Sequence, residues 1–109
     1  MMLYHCTPAP DSILASGFRD SDGYVDEGLP VGVFFSDRPL DGNEGAKGDH
    51  VLEIEMPDEA VGQYECISEG LPYREFIIPA AVVAKYWPPR LMTSAEVEAF
   101  EDDRFRPVR

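Results

Sequence analysis

The segment Val51-Leu52-Glu53-Ile54-Glu55-Met56 alternates apolar and acidic residues with a period of two, and this alternation constrains the fold more than any other feature of the chain. Successive side chains of an extended strand point to opposite faces, so Leu52, Ile54 and Met56 share an inward face while Glu53 and Glu55 look outward. A strand cannot bury that face alone. It needs neighbours in a sheet and a further layer packed against them.

The neighbours are legible as short runs of β-branched and aromatic residues: Leu3–Cys6, Gly32–Ser36, Tyr64–Ile67 and Tyr73–Ile78, each bounded by turn-forming residues. Between the first two runs, Thr7-Pro8 opens a short helix through Ser12–Ser16, with Thr7 as its cap. Gly17 closes that helix and Phe18 returns to the core. Pro57–Val61 reads as a turn or helical start, and Pro79–Val83 as a one-turn helix. Thr93-Ser94-Ala95-Glu96 fits a capping box for a final helix running through Val97 and Phe100. The stretches 20–30 and 41–49 carry glycine, proline and acidic residues and read as loops. The sum is an α+β fold of short strands, short helices and long loops.

With 109 residues the chain forms a single domain, 1–109. Two cysteines, Cys6 and Cys66, supply no disulfide framework, and the N-terminus lacks the basic and apolar segments of a signal peptide. The longest apolar run, Ile77–Ala84, is too short to span a bilayer and is broken by Pro79. These features point to a cytoplasmic protein. Twenty-one acidic residues against nine basic ones give a net charge of −12, a field that repels phosphate backbones and disfavours general nucleic-acid binding. Arg19, Arg38, Lys47 and Arg74 are the candidates for a local basic patch. The acidity also suits a basic protein partner.

Glu75 is the least comfortable residue in the chain. It sits among Tyr73, Phe76, Ile77 and Ile78, and a carboxylate in such company is costly unless paired, solvated or used. The plain reading is an edge-strand charge that discourages association between sheets. The alternative is chemical. Three strands each deliver an unusual residue: His5, the Phe34-Phe35 pair and Glu75. A histidine can hydrogen-bond a ribose hydroxyl, an aromatic ring can stack on a base, and a carboxylate can hold a developing cation, so the set suits a cleft for an aromatic, hydroxyl-bearing ligand. Phe34 and Phe35 point to opposite faces, so one of them belongs to the core.

Three motifs in order resemble the poly(ADP-ribose) polymerase and diphtheria-toxin type of ADP-ribosyltransferase. Leu3-Tyr4-His5-Cys6-Thr7 followed by Ile13-Leu14-Ala15-Ser16-Gly17-Phe18-Arg19 is similar to that family's His-Gly-Ser/Thr and the helix after it. Gly32-Val33-Phe34-Phe35-Ser36-Asp37 is similar to Gly-Ile-Tyr-Phe-Ala/Ser. Tyr73-Arg74-Glu75-Phe76-Ile77-Ile78, followed by Val82-Val83, is similar to the third motif around the family's glutamate. The family's His-Tyr-Glu set is here His5, Phe34 and Glu75.

The resemblance implies a small ADP-ribosyltransferase-like fold with a split sheet, binding NAD as substrate. It implies that His5 contacts a ribose hydroxyl, that Phe34 stacks on nicotinamide, and that Glu75 holds the nicotinamide ribose and stabilises an oxocarbenium-like state. Cys6, in the place of a glycine, and Thr7 fall in the first NAD-binding motif, Phe35 in the second, and Tyr73 lines the pocket. The implied reaction is ADP-ribose transfer to an unidentified acceptor, or NAD hydrolysis. Tyr73 stands where arginine-modifying branches carry Glu or Gln, which argues against an arginine acceptor. A non-catalytic nucleotide- or protein-binding module on the same fold is the alternative. The RNA 2′-phosphotransferase relatives need basic residues that a charge of −12 disfavours. Gly42–Gly48 lacks the ending of a phosphate loop, and His5, Cys6, His50 and Cys66 match no zinc spacing, so no metal site is expected.

Overall fold

The computed structural model of the chain describes residues 1–20, 31–39, 50–66 and 73–104. The expected loops at 20–30 and 41–49 lie largely outside these residues, as does Ile67. Six strands form one open antiparallel sheet: β1 (Met2–Thr7), β2 (Val33–Ser36), β3 (His50–Glu55), β4 (Glu65–Cys66), β5 (Glu75–Ile78) and β6 (Arg90–Leu91), in the order β4-β5-β2-β1-β3-β6. Helices α1 (Pro10–Ser16), α2 (Asp58–Val61), α3 (Ala80–Val83) and α4 (Ser94–Arg104) accompany it. The α+β class expected from the sequence is therefore the observed one. No helix among the described residues is long and apolar enough to cross a membrane.

The register assigns each side chain to a face. β1 and β3 pair along their whole length, from Met2 with Glu55 to Thr7 with His50. β2 and β5 pair from Val33 with Ile78 to Ser36 with Glu75. Leu3, Val33, Phe35, Ile54, Phe76 and Ile78 thus share one face, where they form the main core with Met56, Val61 of α2 and Val83 of α3. Tyr4 and Val51 point the other way and pack with Met92, with Cys6 and Val97 of α4 against them. That second, smaller cluster explains why Val51 is buried although the alternation of β3 sends it away from Leu52 and Ile54: α4 covers the opposite face there.

The capping box forms as its residues predict. The Glu96 carboxylate accepts from the Thr93 N–H at 3.0 Å, and the Thr93 hydroxyl accepts from the Glu96 N–H at 3.2 Å. Arg90 of β6 donates to Glu96 and to Glu53 of β3, fixing the start of α4 to the sheet. The Arg90 guanidinium, together with the Thr93 N–H, lowers the Glu96 pKa to about 2. Thr7 does not cap α1. That helix begins two residues later, with Ala9 as its cap and a proline in its first turn, and the Thr7 hydroxyl instead accepts from the Ala9 N–H at 3.1 Å. Gly17 closes α1 at φ +88°, donating its N–H to the Ile13 carbonyl at 2.7 Å. A side chain at such a φ is strained, which is why glycine stands there.

Gly32 has a different reason to lack a side chain. A Cβ there would lie 2.8 Å from Ile77 Cγ2 and 3.0 Å from the backbone carbon and oxygen of Ile78. The obstruction includes the main chain of β5, which cannot rotate aside. Gly32→Ala is expected to destabilise the fold by about 1–3 kcal/mol, the usual cost of overpacking, read as a lower urea midpoint. An unchanged midpoint would show that β2 can shift off β5.

Candidate functional site

The join between β1 and β2 is the place where the candidate residues meet. These strands share one registered pair, Tyr4 with Ser36. Beyond it, toward Thr7 and Val33, the ladder does not continue. Instead the His5 ring enters the seam, and its Nδ1 lies 2.7 Å from the Phe34 carbonyl oxygen. A carbonyl only accepts, so Nδ1 carries the proton and the neutral ring has its acceptor lone pair on Nε2. Nε2 has no hydrogen-bond partner among the described residues. Phe35 and Phe18 flank the ring, with centroids 5.7 Å and 5.4 Å away. Burial in this apolar setting lowers the His5 pKa, and the Phe34 carbonyl opposes that shift only in part.

Phe35 is the core member of the aromatic pair, 2% exposed and on the face of His5. Phe34 is half-buried on the other face, opposite Ile77. Glu75, opposite Ser36, shares that face and is a diagonal neighbour of Phe34, within reach of an aromatic ring. The edge-strand reading of Glu75 is overturned: β5 lies between β4 and β2, with Cys66 on one side of Glu75 and Ser36 on the other. Glu75 is half-buried and has no hydrogen bond or ion pair among the described residues. Its charge is felt at Cys66, whose thiol pKa is raised by burial first and by Glu75 second.

The register does not place all three candidates on one surface. His5 stands on the face of Phe35, while Phe34 and Glu75 occupy the reverse. The two groups touch through the His5–Phe34 hydrogen bond at the open seam. Each strand's own alternation was readable in the sequence, but the phase between β1 and β5, set through β2, was not.

The remaining expected site residues are dispersed. Cys6 packs with the smaller cluster under α4, and Thr7 is buried, its hydroxyl occupied by the Ala9 N–H. Tyr73 precedes β5, with the Arg38 guanidinium 5.6 Å above its ring. Of the candidate basic patch, Arg74 is committed to a two-pronged pair with Glu65 and lies over the Phe76 ring; Lys47 is outside the described residues. Phe18 beside His5, and Trp87 behind Phe18, carried no signal as site residues. Phe18 read only as a core return, and Trp87, 6.1 Å from Phe18, lies in a proline-broken connection.

No protein-family model, curated protein or solved structure matches the chain.

The half-buried imidazole couples the fold to pH. The folded protein holds His5 below its ordinary value of 6.5, so on acidification the unfolded chain takes up the proton first. The His5 contribution is fully present above pH 6.5 and is lost as pH falls from there through the folded-state value. Urea midpoints measured at pH 7.5 and 5.5 should therefore drop for the wild type and change less for His5→Gln. Equal drops in both proteins would remove His5 as the cause.

Proposed function

We propose that this chain is a small ADP-ribosyltransferase-like protein that binds NAD and transfers ADP-ribose to an acceptor or to water. The observation that carries this reading is Glu75: a half-buried carboxylate on an interior strand, without a hydrogen bond or ion pair among the described residues, diagonal to the Phe34 ring. A carboxylate without a protein partner is available to a cationic transition state, which would supply one. The order of the three motifs supports the same reading, as does a sheet that comes close to parting between β1 and β2, which suits a split-sheet fold.

In this reading Phe34 offers a stacking face to nicotinamide and Glu75 accepts from the 2′-hydroxyl of the adjoining ribose. The C1′–N bond breaks, its electron pair leaves with nicotinamide, and positive charge spreads over C1′ and the ring oxygen. Glu75 stabilises that charge electrostatically. The acceptor or a water oxygen then bonds to C1′ and releases its proton. The Nε2 lone pair of His5 accepts from a ribose hydroxyl.

The division of His5 from Glu75 across the sheet favours a second reading, a non-catalytic nucleotide- or protein-binding module. Nicotinamide release from NAD separates the two. In the first reading Glu75→Gln lowers the rate by about 10²–10³, the range for loss of one preorganised electrostatic stabiliser. Equal background rates for wild type and Glu75→Gln would overturn catalysis. Calorimetric binding of NAD without turnover would then select a nucleotide-binding module, and absence of NAD binding a protein-binding one.

A further inference from the structure

The way Phe18 reaches His5 follows from the backbone. α1 ends at Gly17, whose φ of +88° reverses the chain, and the next residue turns back over the sheet. The Phe18 ring meets His5 edge-on, with the planes at 89° and the centroids 5.4 Å apart. Phe18 also lies 5.5 Å from Phe35, which itself lies 5.7 Å from His5, so the three rings form a closed triangle. Trp87, 40% exposed, covers the outer side of Phe18 at 78°.

The hydrogen bond to the Phe34 carbonyl sets the tautomer, but one hydrogen bond does not by itself stop the imidazole from rotating about its Cα–Cβ and Cβ–Cγ bonds and leaving the carbonyl. Only packing on the ring faces and edge removes that freedom, and edge-to-face aromatic contacts are directional. Phe35 supplies one restraint from inside the core. Phe18 supplies the other from the solvent side.

We infer that Phe18 is a positioning residue for the proposed NAD site: its ring keeps the His5 imidazole on the Phe34 carbonyl, so that the proton stays on Nδ1 and Nε2 presents one directed acceptor to a ligand hydroxyl. The inference rests on the NAD reading above. Were Phe18 only a core filler, a leucine of similar apolar character would leave the imidazole undisturbed. As a positioning residue, it acts through the directionality of its ring, which leucine lacks.

The chain has two histidines, and His50 is exposed at the start of β3, so it serves as an internal reference. Ring-nitrogen NMR at neutral pH, without ligand, reads the His5 tautomer directly. Wild type and Phe18→Tyr, which keeps the ring, are expected to show a single Nδ1–H form. Phe18→Leu is expected to show mixed, broadened His5 resonances with His50 unchanged. In a parallel titration NAD affinity should fall roughly three- to tenfold in Phe18→Leu, the worth of one aromatic contact, and return in Phe18→Tyr. If Phe18→Leu does not fold, the unbranched Phe18→Met is read in the same way. Wild-type His5 resonances in the variant without the ring would overturn the inference about Phe18. A disturbed tautomer together with a wild type that binds no NAD would overturn the NAD reading instead.

Discussion

The hydrogen bond between the His5 imidazole and the Phe34 carbonyl holds together the two halves of the sheet where their own ladder gives out. On one side stand β1, β3 and β6; on the other, β2, β5 and β4. Among the described residues, main-chain pairing joins them at Tyr4 and Ser36. The Phe34 carbonyl at this seam takes the His5 N–H as a donor, and a neutral imidazole provides one without bringing a charge into the core. The aromatic setting in turn keeps the imidazole neutral. Structure and candidate chemistry therefore draw on the same atoms: Nδ1 closes the seam, and closing it leaves Nε2 as the ring's acceptor.

Much of this architecture was legible locally. The alternation of Val51–Met56, the Thr93–Glu96 capping box and the glycine at the end of α1 are each specified by residues within a few positions of one another, and each forms as read. The misreadings are non-local. Period two says that Glu75 and Ile77 share a face, but not that β5 would be covered by a two-residue β4, which turns an expected margin into an interior. Nor does it say how β1 is phased against β5, because that phase passes through the single pair at the seam. β6 escaped notice because two residues, Arg90 and Leu91, carry no period at all; tertiary pairing with Leu52 and Glu53 creates that strand.

The candidate site was readable as a set of residue types and unreadable as a geometry. His5, Phe34 and Glu75 were visible because they are chemically unusual on their strands. The partner that orients His5 was not visible, since a phenylalanine after a helix-ending glycine looks like any residue returning to a core. Its significance depends on Gly17 turning the chain toward β1 rather than away from it.

Both margins of the sheet deserve to be considered as a pair. β4 and β6 are each two residues long, and each bears an arginine–glutamate pair: Arg74 with Glu65 at one margin, Arg90 with Glu53 at the other. Among the described residues, the outermost strands offer a neighbour only two residues each to pair with. Guanidinium groups at both margins would also have to shed water and their carboxylates before another strand could dock. Combined with like-charge repulsion at −12, this makes the protein resistant to strand-by-strand self-association, so it should remain dispersed at concentrations where an unguarded six-stranded open sheet would coalesce.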